Sequence, residues 1–148
     1  FLGQLLPPGL IVWLLIFTLL GFAVYAGEMG GVGALVPNVR EGTQLTQIAI
    51  IPLVIPAFLS SAIANAPDGT LALVLSIFPL TSPVGMPIRL LAGQVPLAQL
   101  LVSVALLVLT VVFVIRGAAR LFKAQYLLSG KTFGVPAFLG AFFGREPS

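Results

Sequence analysis

The 148-residue sequence is 59% hydrophobic and 7% charged, with a mean hydropathy of +1.16 and a formal net charge of +3. An ordinary globular domain carries about 25% charged residues, so this composition excludes a soluble globule and predicts an integral membrane protein. Histidine and cysteine are absent, which excludes Ser-His-Asp and Cys-His catalysis. No two carboxylates share a helix face for acid–base work, and we therefore predict no enzymatic activity, cofactor or metal in this chain.

The first predicted membrane span covers residues 10–36. Its first eleven residues include nine Leu, Ile, Val and Phe side chains, which favour insertion by roughly 4 to 5 kcal/mol. Gly27 and Gly31 lie one helical turn apart and predict either close approach by another helix or the end of the span. Glu28 is a candidate intramembrane group for binding a cation or a polar partner, with a hydrated carboxylate at a helix end as the alternative.

A polar turn is predicted over residues 37–44, followed by a second span over 45–64. The turn carries one basic and one acidic residue, Arg40 and Glu41. Within the span, Pro52 and Pro56 each lack a backbone donor. Neighbouring helices can satisfy the freed carbonyl groups, so we expect a kink in this span and not a break.

Residues 70–91 predict a re-entrant helical hairpin. Prolines occupy every fourth position of its central part, at Pro79, Pro83 and Pro87, and each costs a helix interior roughly 3 kcal/mol. The apolar run over 71–78 rises only about 12 Å, against a hydrocarbon core of about 30 Å. We therefore predict a helix that breaks at Phe78–Pro79 and a second short helix that returns to the same side. Either Asp68 or Thr70 is expected to cap the first helix.

The last predicted span covers residues 95–121 and leads into a basic helix face and a tail over 122–148. Three basic residues share that face: Arg116, Arg120 and Lys123. The positive-inside rule then places the tail in the cytoplasm, and docking onto an acidic partner surface is the alternative use of this charge. By alternation, the turn at Arg40 is cytoplasmic, while Asp68, Arg89 and the amino end lie outside.

Two features at the ends of the chain carry further expectations. Ser129-Gly-Lys-Thr132 matches only the end of a phosphate-binding loop, because Gln125 stands where the loop needs its first glycine. We therefore expect no nucleotide binding here. The sequence opens at Phe1 without an initiator methionine, from which we expect the chain to be part of a longer polypeptide.

Two stretches of the sequence resemble a known family of membrane proteins. Residues 76–90 resemble the proline-containing segment before the last transmembrane helix of type-2 ABC exporter permeases, most closely the branch that includes the NatB-like sodium-efflux permeases. Residues 118–131 resemble the ending of the same branch, in which the last helix exits into an Ala-Ala-Arg-aromatic-basic run and a Gly-Lys pair. The polar turn with Gln44 and Gln47 is also similar, and the resemblance extends over about residues 21–131.

The resemblance implies that the chain is the carboxy-terminal half of a six-helix transmembrane domain. On that template, residues 10–36, 45–64 and 95–121 are the fourth, fifth and sixth helices, and the re-entrant hairpin lies on the outer side between the last two. Such permeases pair as dimers and bind two cytoplasmic ATPase subunits, which hold ATP and magnesium. The first three helices, the outer domain between the first two and the coupling helix have no counterpart here. The coupling mechanism and most of the substrate path therefore lie outside this sequence.

We therefore predict a multi-pass permease subunit of an ATP-driven exporter in the cell membrane, forming part of the translocation pathway and its outer gate. The candidate gate residues belong to the proline segment: Pro79, Thr81, Ser82, Pro83, Pro87 and Arg89. Thr81, Ser82 and Arg89 are expected either to face an outer vestibule or to satisfy local backbone groups. The candidate cytoplasmic contacts are Arg40, Glu41, Arg116, Arg120 and Lys123. Membrane lipids are expected partners and nucleic acid is not.

The alternative prediction is a non-transporting structural membrane subunit of a larger complex. In that case the glycines and prolines serve helix packing alone, and the chain has no ATPase partner. An autonomous ion channel is disfavoured, because the predicted spans carry almost no polar side chains apart from Glu28.

Overall fold

The computed structural model describes residues 7–128, and the secondary structure in that range is entirely helical. The predicted all-helical class is confirmed. The helices follow one another as α1 Pro8–Leu35, α2 Val39–Phe58, α3 Ser60–Asn65, α4 Thr70–Ile77, α5 Ser82–Ala92 and α6 Leu97–Leu128. The motif over 129–132, the remainder of the predicted tail, and Phe1 lie outside the described residues.

Of the described helices, α1 and α6 are the two that are long and apolar enough to cross a membrane. They contain 28 and 32 residues, so at about 1.5 Å per residue both exceed the roughly 30 Å of a hydrocarbon core. Only 17% of the most apolar stretch of each helix is buried within the chain. The core helix of a soluble protein would bury far more, so these surfaces suit contact with lipid or with another membrane-spanning segment.

The two long helices run parallel and pack closely at glycines of α1. A Cβ atom added at Gly27 would lie 2.8 Å from Val114 Cγ1, and one added at Gly31 would lie 3.8 Å from Ala118 Cβ. These contacts advance in the same direction along both helices, which makes the pair parallel. The close approach holds at Gly27, where an added Cβ would force the Val114 side chain to shift, whereas one at Gly31 would be in ordinary van der Waals contact.

Helix α2 begins almost directly after α1. Asn38 Oδ1 accepts a hydrogen bond of 3.0 Å from the Glu41 backbone N–H, and the Asn38 side-chain amide donates to the Glu41 carboxylate at 3.0 Å. This reciprocal cap satisfies an otherwise free donor and starts the helix at Val39. The polar turn predicted over 37–44 is therefore wrong beyond its first two residues.

The helix continues through both of its prolines. Pro52 and Pro56 lie inside α2, and the regular geometry is interrupted only at Leu59, where ψ is 12°. Hydrogen bonding resumes at once, since the Ile63 N–H donates to the Leu59 carbonyl oxygen at 2.9 Å. The helix therefore does not break at either proline, and its one interruption lies at Leu59, between α2 and α3.

Helices α4 and α5 form an antiparallel pair, which we call the hairpin, with residues 78–81 as its turn. At mid-height, a Cβ added at Gly85 would lie 2.5 Å from the Leu75 carbonyl oxygen. At the open end, one added at Gly93 would lie 3.5 Å from Pro67 Cγ. The chain therefore leaves the hairpin close to where it entered.

The three prolines of the hairpin have different positions. Pro79 lies in the turn, Pro83 lies in the first turn of α5, and Pro87 lies inside α5 without ending it. Proline is tolerated in a first helical turn because its missing N–H would have no partner there. The first two prolines thus mark the predicted break, and the third does not add another.

Candidate functional site

The hairpin packs against the amino-terminal halves of α1 and α6. The shared core consists of one cluster of buried apolar side chains: Phe17, Val24, Met86, Leu90, Leu100 and Leu107. Where α1 meets α5, a Cβ added at Gly21 would lie 2.5 Å from Pro83 Cβ. Only glycine therefore allows the start of α5 to lie directly on α1.

Polar groups in the hairpin turn are satisfied by the turn itself. Thr81 Oγ1 lies 2.7 Å from the Leu75 carbonyl oxygen and 3.1 Å from that of Phe78, so its hydroxyl hydrogen is shared between them. The backbone N–H groups of Thr81 and Ser82 both donate to the Phe78 carbonyl oxygen, at 3.1 and 2.8 Å. A turn with these bonds does not depend on water to satisfy its backbone, which is the condition for broken helix inside a bilayer.

Arg89 closes the open end of the hairpin, and we call its set of bonds the Arg89 clasp. Its Nε donates to the Pro67 carbonyl oxygen, its Nη1 donates to Ser76 Oγ at 3.1 Å, and its Nη2 donates to Asp68 Oδ1 at 3.3 Å. The Arg89 side chain is 1% exposed, whereas that of Asp68 is 83% exposed. A buried cation persists only where it is paired and hydrogen-bonded. The clasp therefore fixes the end of α5 against the start of α4.

Two further hydrogen bonds attach the hairpin to the long helices. Ser103 Oγ of α6 donates to the Ser76 carbonyl oxygen at 2.7 Å, and the Tyr25 hydroxyl of α1 donates to the Leu80 carbonyl oxygen at 2.7 Å. The first bond lies beside the clasp, and the second holds the turn. Both bonds hold the turn half of the hairpin, because Ser76 is the last residue but one of α4 and Leu80 lies in the turn.

The structure brings the candidate gate residues into one compact unit, with their polar side chains turned inward. Thr81, Ser82 and Arg89 are all buried. Thr81 and Ser82 bond to carbonyl oxygens of the turn and of α4, so satisfaction of local backbone groups, one of the two expectations, describes the observed contacts. A gating function of the hairpin stays a prediction.

The predicted side-chain cap of α4 is wrong. Gly69 is the N-cap residue, and neither Asp68 nor Thr70 makes a capping hydrogen bond. Asp68 accepts from Arg89 instead. The Asp68 carboxylate therefore pairs with Arg89 and does not cap α4.

The candidate cytoplasmic contacts lie at the far end of the bundle from the hairpin. Arg116, Arg120 and Lys123 are exposed along α6. A Cβ added at Gly30 would lie 3.9 Å from Phe122 Cε2, so the end of α1 lies beside this part of α6. The first turn of α2, which holds the exposed Arg40 and Glu41, follows directly. The structure therefore brings the two groups to one end.

Between the hairpin turn and this charged end lies an open groove of about 440 Å³. Its walls come from three helices, with Leu80 of the hairpin turn at one end. Glu28 is the one ionisable side chain in the lining, and its Oε2 atom is buried without a hydrogen-bond partner in the described part of the chain. The other lining residues are Gly27, Gly31, Val32, Leu35, Ile48, Ala49, Pro52, Phe113, Val114, Gly117, Ala118 and Leu121.

Sequence reasoning missed the anchoring role of three hydroxyl-bearing residues, Tyr25, Ser76 and Ser103. The available signal was the presence of single hydroxyl groups inside apolar stretches, since a buried hydroxyl needs a partner. That signal is weak, because Thr110 offers the same hydroxyl and simply bonds to the Leu106 carbonyl oxygen of its own helix at 2.8 Å. The partner of each hydroxyl depends on tertiary packing.

Two long, mostly unburied apolar helices with a hairpin packed against them are typical of a membrane-embedded chain. The chain belongs to the ABC-2 family transporter proteins, whose family model matches residues 1–120. This confirms the predicted permease family at the level of the family.

Two curated relatives have comparable similarity to the chain. The uncharacterized protein MJ1024 of Methanocaldococcus jannaschii is 29% identical over 119 residues, which is 80% of this chain and 30% of the relative. The uncharacterized protein YhaP of Bacillus subtilis is 29% identical over 123 residues, which is 82% of this chain and 29% of the relative. The chain therefore spans less than a third of either relative's length. No solved structure matches it.

Proposed function

We propose that this chain is the carboxy-terminal part of the transmembrane domain of an ATP-driven exporter of the NatB-like branch. It acts with a second permease copy and with two ATPase subunits, which bind ATP and magnesium. The observation that carries the proposal is the hairpin, a broken helix with internally satisfied polar groups, held between two long parallel helices. The membership in the ABC-2 family supplies the class of transporter.

The membrane topology follows from the parallel direction of α1 and α6. If both helices cross the bilayer, the chain between them must cross it an odd number of times. The segment α2–α3 supplies one crossing, as the third span. Helices α4 and α5 contain 8 and 11 residues and rise only about 12 and 16 Å, so neither crosses a core of about 30 Å. The hairpin then enters and returns on one side.

The exposed basic residues at the other end of the bundle set the orientation. The positive-inside rule places Arg116, Arg120 and Lys123 in the cytoplasm, together with the first turn of α2. The hairpin then lies in the outer half of the membrane, and the protein is multi-pass with a cytoplasmic carboxyl end. In this position the hairpin serves as an outer gate, anchored at its base by the Arg89 clasp and at its turn by Tyr25.

Native mass spectrometry of the full-length protein in mild detergent tests the exporter proposal. We expect two permease copies with two ATP-binding subunits. A stable complex without any nucleotide-binding subunit would instead support a non-transporting structural subunit.

Proline replacement in the hairpin tests the gate. The double variant Pro79→Ala/Pro83→Ala restores helical donors at the break, so we expect a straighter segment and altered export. Pro37→Ala, an exposed position in the link before α2, is the matched control. Unchanged export in the double variant would contradict the gate.

A further inference from the structure

The groove below the hairpin turn combines one unpaired carboxyl group with otherwise apolar walls. Glu28 is half-buried, and its Oε2 atom is fully buried with no hydrogen-bond partner in the residues that the structure describes. Burying an ionisable group without a partner is costly, and near a membrane span such a group marks a functional site by default. A positively charged occupant would remove this cost.

The lining of the groove decides which kind of cation fits. Sodium, calcium and magnesium are held by several oxygen ligands together, but the other lining side chains are apolar. No cluster of three or more His, Cys, Asp or Glu residues occurs over residues 7–128. A single carboxyl group among apolar walls instead matches a cation that carries its own hydrophobic body, bound by charge at one point and by apolar contact elsewhere.

We propose that the groove is a binding site for amphipathic organic cations, with Glu28 as the counter-ion. The volume of about 440 Å³ suits a compact drug-sized molecule. Its apolar body packs against the α2 and α6 walls, including Ile48 and Phe113. Leu80 lines the same groove and accepts the Tyr25 hydrogen bond, so an occupant touches the anchored turn of the hairpin. The claim that the bound cation is exported rests on the proposed function, whereas the claim that the groove binds a cation does not.

Tetraphenylphosphonium and tetraphenylborate test the site, because they share size and shape and carry opposite charges. Binding of each labelled ion is measured at equilibrium on the full-length protein in lipid nanodiscs, with empty nanodiscs subtracted. We expect saturable binding of the cation only. Glu28→Gln should weaken it tenfold or more, equivalent to about 1.4 kcal/mol, and Glu28→Lys should transfer the preference to tetraphenylborate.

Two further variants separate the site from general effects on the protein. Glu41→Gln removes an exposed carboxylate that accepts a hydrogen bond from Asn38 and does not line the groove, and it should leave cation binding unchanged. At Gly117, which lines the groove, an added Cβ meets no atom within 4 Å, so Gly117→Leu starts its side chain in open space and should narrow the groove and weaken binding while Glu28 is retained.

Equal cation binding by the wild type and Glu28→Gln would overturn the proposal. Absence of binding in the wild type, with Glu28→Gln lowering the thermal midpoint, would also overturn it and show that the rest of the protein covers Glu28. The native mass spectrum decides the exporter proposal separately. Glu28-dependent binding in a complex without ATPase subunits would support the cation site and contradict the exporter proposal. A complex with ATPase subunits but without Glu28-dependent binding would support the exporter proposal and contradict the cation site.

Discussion

The two ends of the α1–α6 pair differ in how closely they are packed and in how their buried polar groups are satisfied. At the hairpin end, Arg89 and Ser103 are buried polar groups with partners, and α1 touches α5 where Gly21 meets Pro83. Gln99 Oε1 at the start of α6 is the exception there, since it is buried without a partner in residues 7–128. At the groove end, the same helices leave an open space, and the buried Glu28 oxygen has no partner within residues 7–128. Satisfied polar groups hold a structure in place, and an unsatisfied buried one needs an explanation. For Glu28 that explanation is the proposed occupant, because this residue lines an open groove.

Removing the Arg89 clasp should have the largest effect on the hairpin end. Arg89→Met deletes the donors to the Pro67 carbonyl and the Ser76 hydroxyl and leaves those buried acceptors unsatisfied. We expect a loss of stability of about 3 to 5 kcal/mol, measured as a lower thermal midpoint of the purified full-length protein. Arg120→Met, at an exposed position of α6, is the control. A midpoint equal to that of this control would show that the clasp does not hold the hairpin.

Adding one methyl group at Gly85 should have the next largest effect. The new Cβ would lie 2.5 Å from the Leu75 carbonyl oxygen, and because that oxygen belongs to the backbone, α4 and α5 must separate. We expect a loss of about 1 to 3 kcal/mol by the same thermal measurement.

Gly33→Ala is the matched control for Gly85, since a Cβ there meets nothing within 4 Å. Alanine is the better helix former by about 1 kcal/mol, so this variant should be neutral or stabilising. Equal losses at the two glycines would show that helix propensity, and not close contact, governs both positions.

Ser103→Ala should have the smallest effect of the three. It removes the donor to the Ser76 carbonyl oxygen, a buried bond between neutral groups worth about 0.5 to 1.5 kcal/mol. Thr110→Val, whose hydroxyl bonds only within α6, should cost less. If Thr110→Val costs as much as Ser103→Ala in hydrogen-exchange or thermal measurements, the bond to the hairpin contributes nothing specific.

The elements that the sequence predicted well are those set by local chemistry. The apolar runs place α1 and α6, and Pro79 places the break, because composition and missing donors act over a few residues. The prediction of a polar turn over 37–44 was wrong because Asn38 caps a helix that begins at Val39, although the residues that follow are polar. The capping role given to Asp68 failed because Arg89, 21 residues later, competes for it. Such long-range pairs depend on how the hairpin closes.

The candidate site around Glu28 was predicted only in part, because the sequence shows its local chemistry and not its long-range contacts. Glu28 stands out in the sequence as a lone carboxyl group near a span, but its groove is formed by residues from three helices and the hairpin turn. Ser103 and Thr110 are seven residues apart and share a helix face, yet only Ser103 is buried. Spacing alone does not distinguish them, since the neighbour that buries Ser103 comes from elsewhere in the chain.

The placement of the hairpin in the outer half of the membrane is tested most directly by cysteine labelling. The 148-residue sequence contains no cysteine, so a single one can be introduced at exposed positions on either side of the hairpin, Asn65 and Gln94, and at Gln44 and Arg120. Intact cells are treated with a membrane-impermeant maleimide before and after permeabilisation. We predict that Asn65→Cys and Gln94→Cys react in intact cells, and that Gln44→Cys and Arg120→Cys react only after permeabilisation. Labelling of Asn65→Cys and Gln94→Cys from opposite sides would contradict a hairpin that returns to the side it entered.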